Sequence, residues 1–227
     1  MKHKIQANFE QRLKQRVKIA FTLGAFSLFL ASLIFLFASK KGDYIPEPSI
    51  TEEFYFAPIS DHHYANPANW KPSYPGTLIK GHQRIHIQGE AYLPFYDLEV
   101  EGSMNLGLDA SLLGPEGKIW IKKGGEVQNH GKILLESMVQ EGKLCNNFTG
   151  SIDLDDFETR HSSQTFNLSG GHMVVNHSFY NRGNFRNYGD FKAKNQFKNA
   201  SDFHQSQGGK LTIKGKPYLQ KAIRSLP

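Results

Sequence analysis

Cysteine is almost missing from this chain: Cys145 is the only one in 227 residues. An intrachain disulfide is therefore excluded, and packing and backbone pairing must hold the fold. There is no glycine-rich phosphate loop, no serine elbow and no Cys-His-Asn pattern, so three common chemistries have no signature here. Ten histidines are present, but none stands at metal-ligand spacing. His82 and His86 would share one side of a strand roughly 13 Å apart, and His62 and His63 would face opposite ways if extended. No metal and no cofactor are expected.

Charge of one sign is scarce in each part of the chain. Residues 1–41 carry a net +7, residues 42–170 a net −9 and residues 171–227 a net +8, which together give the overall +6. The basic total is an average over three unlike pieces, and it does not indicate nucleic acid.

Charge is absent altogether from Ile19 to Ser39, IAFTLGAFSLFLASLIFLFAS. As a helix this run is about 31 Å long, enough to cross a hydrocarbon core. A cleavable signal peptide would have a shorter apolar region and a small-x-small site, which Leu36-Phe37-Ala38 does not supply. An uncleaved anchor is therefore expected at 19–39, after a basic cytoplasmic segment at 1–18. Six Lys/Arg precede the run and only Lys40 and Lys41 follow it closely. The positive-inside rule then places the amino terminus in the cytoplasm and the rest in the periplasm or outside the cell. Residues 40–63, with Pro46 and Pro48, read as a linker.

What is abundant is a repeat. Phe179, Phe185, Phe191, Phe197 and Phe203 lie six residues apart, in units of apolar-x-Asn-x-Gly-x. A helix would rotate such a spacing around its surface, and a hairpin sheet would need longer units. A short strand followed by a bend fits six, with Asn and Gly expected to supply positive φ at the bend. A second array places Ile121, Val127, Ile133, Val139 and Cys145 six apart. Its phase differs, so an irregular break is expected between Gly150 and Gly171. Units this short bury a face only by stacking on copies of themselves.

The predicted fold is all-β: a single-stranded parallel β-helix over residues 64–216, preceded by one transmembrane helix. Three units would complete a coil of about 18 residues, and roughly seven coils would make a rod of about 35 Å. Phe179 would stack on Phe197, Phe185 on Phe203, Ile121 on Val139 and Val127 on Cys145, with the cysteine in an inward slot. Residues 217–227 would cap the last coil or form a tail. Asn-x-Ser/Thr triplets begin at Asn147, Asn167, Asn176 and Asn199. They are glycosylation acceptors in a secreted eukaryotic chain, but arise from composition in an Asn-rich solenoid, which is the reading taken.

Residues 64–215 resemble bacterial cell-surface β-solenoids of the filamentous-haemagglutinin and adhesin type. The resemblance is carried by Asn69-Trp70, Pro75-Gly76, Ile85-x-Ile87, Leu98-x-Val100-x-Gly102 and the leucines and glycine at 106, 107 and 112. It implies fold more than activity, because such solenoids host adhesins, spacers and sugar-cleaving enzymes alike.

Asp153, Asp155, Asp156 and Glu158 would lie in the expected break, beside Arg160. They read as acids of a solvated turn. In a polysaccharide-acting β-helix enzyme, the alternative reading, such acids would hold calcium near a basic general base. No enzyme activity is expected, and no catalytic residue is assigned. Binding is assigned to Lys192, Lys194 and Lys198 at the basic end and to Asp153 and Asp155 in the acidic part. The expected role is a scaffold, spacer or binding subunit of a cell-envelope assembly. Its partners would be the membrane, a protein or a second copy, and an acidic glycan, with no nucleic acid. A membrane-tethered polymer resembling bactofilins is a further alternative, and it requires a cytoplasmic rod.

Overall fold

The computed structural model describes residues 50–226 apart from Ser60 and Tyr96. The expected anchor, its orientation and the first half of the linker lie outside the described residues. Among the described residues no helix is long and apolar enough to cross a membrane.

The chain folds as a parallel β-solenoid of about seven turns. Strands β1 (Glu52–Phe56), β2 (Trp70–Lys71) and β3 (Leu78–Ile79) open it. The first complete coil is β4 (Gln83–Ile87), β5 (Glu90–Tyr92) and β6 (Asp97–Val100). The next has β7 (Ser103–Leu106) and β8 (Ser111–Ile121), a long strand that bends across two faces. The same pattern recurs as β9 (Glu126–Asn129) with β10 (Lys132–Gln140), β11 (Lys143–Asn146) with β12 (Ser151–Thr159), and β13 (Gln164–Asn167) with β14 (His172–Asn181). The sixth coil has three separate strands, β15 (Asn184–Asn187), β16 (Asp190–Ala193) and β17 (Gln196–Asn199). The last holds β18 (Asp202–Ser206), β19 (Lys210–Ile213) and β20 (Pro217–Leu219), and β21 (Ile223–Leu226) begins another. Strand pairing thus reaches past 64–216 at both ends, and 217–226 continues the stack.

Three flat faces result. The first is one continuous sheet, in the order β2-β1-β4-β7-β9-β11-β13-β15-β18-β21. The other two are the halves of the bent strands and their separate counterparts. Each four-residue strand turns two alternate side chains inward, as the period of two in a strand demands. On the first face one inward column runs Ile85, Met104, Val127, Leu144, Thr165, Phe185, Phe203 and Ile223.

The five phenylalanines are all buried. They occupy the three faces in turn: Phe179 pairs with Phe197 on the third face, and Phe185 with Phe203 on the first. Phe191 lies on the second face, over Met173. Phe185 and Phe203 are stacked at 4.8 Å and 5°, while Phe185 meets Phe191 edge-on at 5.0 Å. Rings in offset or edge contact gain attraction beyond the area they bury.

The earlier array is one residue out of register. Ile121 pairs with Gln140, not Val139, and Val127 pairs with Leu144, not Cys145. Val139 and Cys145 therefore point outward, and the inward slots belong to Met138 and Leu144. Nor is there an irregular break: residues 151–159 form β12, paired on both sides, with a register shift at its bend.

The Asn and Gly of the repeat also do something other than adopt positive φ. Among the described residues the only non-glycine positive φ values are at Phe95 and Ser162. The asparagines are strand residues that point inward just before a corner. Asn129, Asn146, Asn167 and Asn187 form a buried ladder in which each side-chain amide donates to the next, at 2.7–2.8 Å, ending on Gln205 Oε1. Several donate also to a corner carbonyl one coil on: Asn146 to His172 O, Asn167 to Asp190 O and Asn187 to Lys210 O. A second ladder runs Thr159, Asn181, Asn199 and then the carbonyl of Lys221. Corners leave carbonyls turned into the core, and a buried carbonyl needs a donor.

The glycines at these corners are there for space. A Cβ at Gly142 would lie 2.1 Å from the carbonyl oxygen of Gly125, and one at Gly189 would lie 2.3 Å from that of Gly171.

The Asn69-Trp70 pair anchors the amino-terminal end. Trp70 packs on Phe56 and Tyr64 and donates its indole N–H to Tyr64 O. Asn69 donates to Asp61 and to His63 O. Strand β2, antiparallel to β1, covers the edge of the first sheet.

Candidate functional site

Because the inside is filled, function must reside on the outward residues, whose neighbours are set by register. The lysines assigned to binding do not share a face. Lys192 projects from the second face, where it lines a 230 Å³ depression with His172, Asp190, Lys210 and Thr212. Lys194 lies at the corner and is exposed. Lys198 projects from the third face between Tyr180 and Tyr218. Together they wrap around one edge of the basic end.

Asp153 and Asp155 lie on β12 rather than in a loop. Asn176 of the next coil donates to both, at 2.7 and 3.3 Å, and to Leu154 O at 3.1 Å. Asp156 stands 3.5 Å from His177. Arg160 is engaged elsewhere, at 2.7 Å from Glu141 and 3.5 Å from Glu158. Among the described residues no group of three His, Cys, Asp or Glu is placed to hold a metal ion.

Sequence reasoning missed a charged ridge between the third and first faces. Lys122 pairs with Glu99 at 3.2 Å and lies over the Trp120 ring, and Arg160 approaches the same ring. Arg182 pairs with Glu158 and lies over Tyr180. The ion pairs join successive coils, and only the register brings them together.

It also missed a trough on the first face. The outward row of β7 is low, with Ser103 and Asn105 followed by Gly107. The rows on either side are tall: Arg84, His86 and Gln88 on one, Glu126, Gln128 and His130 on the other. The trough has a volume of about 410 Å³. The His86 ring stacks on Tyr55 at 4.7 Å, and burial holds its imidazole toward the neutral form. Cys145 is a neighbour of this region, 3.7 Å from Asn147 Oδ1, and partial burial pushes its thiol pKa up. Of the Asn-x-Ser/Thr sites, Asn167 and Asn199 are buried in the ladders and closed to modification in the folded chain.

No protein-family model, characterised protein or solved structure matches the chain, so the likeness to adhesin-type solenoids rests on the residues named above.

Proposed function

We propose that this chain is a membrane-anchored scaffold whose β-solenoid, held outside the cytoplasm, binds a protein partner of a cell-envelope assembly. The observation that carries the reading is the order of charge in the stack. Coils up to Arg160 hold the acidic stretch, and those from Gly171 onward hold ten Lys/Arg against two Asp. In a solenoid, distance along the chain becomes distance along one axis. The two ends therefore lie further apart than a Debye length of about 8 Å, and each can meet a partner nearly independently. The uncharged run at 19–39 supports the anchor, and the flanking lysines and arginines support the orientation.

The test is capture of partners in mild detergent by the wild type and by the Lys192→Glu/Lys194→Glu/Lys198→Glu variant. All three side chains lie outward or at a corner, so the variant should fold. Association should weaken in the variant and in half-molar salt. Association unchanged by both would refute the charge-directed reading. A reporter after Pro227 that works only in the cytoplasm would refute the orientation.

A further inference from the structure

We infer that the trough along β7 is a binding site for an uncharged oligosaccharide. This goes beyond the proposed scaffold role and does not depend on the basic end.

The shape comes from side-chain length alone. The two walls stand on strands two spacings apart, about 10 Å, and the floor from Ser103 to Gly107 runs about 13 Å. A ligand here would be long and thin and would lie across the rod axis.

The chemistry is that of paired donors and acceptors. The side-chain amides of Gln88 and Asn105 line the trough and have no hydrogen-bond partner among the described residues. The Arg84 Nε and His86 Nε2 atoms have almost no accessible surface, and both side chains lean toward Glu53 and Tyr55 on β1, so these two atoms are out of a ligand's reach. The nearest carboxylate to His86 Nε2 is that of Glu53, at 3.9 Å. On the opposite wall, Gln128 donates to Glu126 and keeps its carbonyl free. The Asn147 amide donates to His130 Nε2 at 3.1 Å, an orientation consistent with the Cys145 thiol donating to Asn147 Oδ1. His130 then carries its proton on Nδ1, as a donor. A row of hydroxyl groups, each both donor and acceptor, would satisfy the Gln88, Asn105 and Gln128 amides and the His130 imidazole. A ligand that pairs these groups is favoured over one that covers them without a partner.

Other occupants fit less well. An extended peptide binds by adding a strand to a sheet edge, but β7 is paired on both sides, with β4 and β9. An anion would meet Glu126 in the wall and an Arg84 already 3.4 Å from the Glu53 carboxylate. Cleavage of a glycosidic bond calls for two carboxyl groups. The trough offers only Glu126, which is held by Lys143 at 2.9 Å. The site is therefore one that holds a sugar chain rather than cuts it.

The experiment is calorimetric titration of the full chain in a detergent without a sugar headgroup. The probes are cellohexaose, chitohexaose and maltohexaose as neutral chains and hexagalacturonate as an acidic one. At least one neutral probe should bind, and Asn105→Ala and His130→Ala should each weaken it about tenfold. Asn105→Tyr fills the trough from an outward strand position and should abolish binding while leaving the urea midpoint in place. The Lys192/Lys194/Lys198→Glu variant should bind the neutral probe as the wild type does, so failure of the scaffold reading is separable from failure of this one. Binding of hexagalacturonate alone, binding of none of the four, or neutral binding that survives Asn105→Tyr would each overturn the assignment.

Discussion

Replacing Asn167 by Ala tests whether the ladder holds the coils in place. The Asn167 side chain is fully buried. It accepts from Asn146 and donates to Asn187 Oδ1 at 2.7 Å and to Asp190 O at 3.0 Å. Alanine removes the donor, so two buried acceptors in the next coil lose a partner. Asn146 fares better, since its amide keeps the carbonyls of Gly150 and His172. Each orphaned buried group costs about 1–3 kcal/mol, and the total should be about 2–5 kcal/mol. Exposed Asn195→Ala should move stability by less than about 0.5 kcal/mol. The assay is the urea midpoint of the full chain in mild detergent, extended to a double-mutant cycle with Asn187→Ala. The pair should cost less than the sum of the singles by about 1 kcal/mol or more, because they share one bond. An Asn167→Ala midpoint equal to that of Asn195→Ala, or strict additivity in the cycle, would refute the ladder as a source of stability.

Three further outcomes are expected. Phe191→Ala should cost about 3–5 kcal/mol, against less than about 0.5 for Lys194→Ala, in the same urea assay; equal shifts would sink the core assignment. Gly142→Ala should destabilise by about 1–3 kcal/mol or more, because its Cβ meets backbone rather than a movable side chain. The same change at Gly208, whose nearest neighbour to a new Cβ is at 4.0 Å, should be far milder. Asp202 is held below the usual carboxylate range, chiefly by its hydrogen bond from Lys221, and its stabilisation of the last coil has a definite sign in pH. The contribution is present above about pH 4, the ordinary aspartate value, and fades as pH falls through the lower folded value. Lys221→Ala should flatten that acid dependence, and an unchanged profile would show that the pair does not stabilise the coil.

The phenylalanine row was legible because the last coils are regular. Strands β15, β16 and β17 each have four residues, and a two-residue corner follows each. Strand plus corner makes six, so the period in sequence equals the period in space. The coils from β7 to β14 keep the four-residue strand on the first face but run the other two faces together in strands of nine to eleven residues, and their corners vary: four residues separate β7 from β8, and two separate β9 from β10. The bend inside β10, from inward Leu135 to inward Met138, is one residue shorter than the regular corner from Ala193 to Phe197; that shifts every later inward position, which is how Cys145 came to be expected in the slot that Leu144 fills. The asparagines were visible as a pattern, but their role was not. Local rules tie Asn and Gly to backbone conformation, whereas here both answer to carbonyls of a neighbouring coil some twenty residues away. The trough was hidden for the same reason. Ser103, Asn105 and Gly107 are unremarkable until Arg84 and Glu126 are known to flank them.

The cross-section of the rod bears on what such a chain is for. An α-helix covers about 30 Å with 20 residues. Here the whole run from Gln83 to Leu219 advances only about 34 Å, at one strand spacing per coil. Reach is therefore the quantity this architecture supplies least, and lateral wall is what it supplies most. Adding a coil would lift the far end by less than 5 Å but would add a new row of outward side chains to each of three faces. A spacer has little use for that exchange. A surface that must present many fixed positions, each changeable without disturbing the core, gains from every turn.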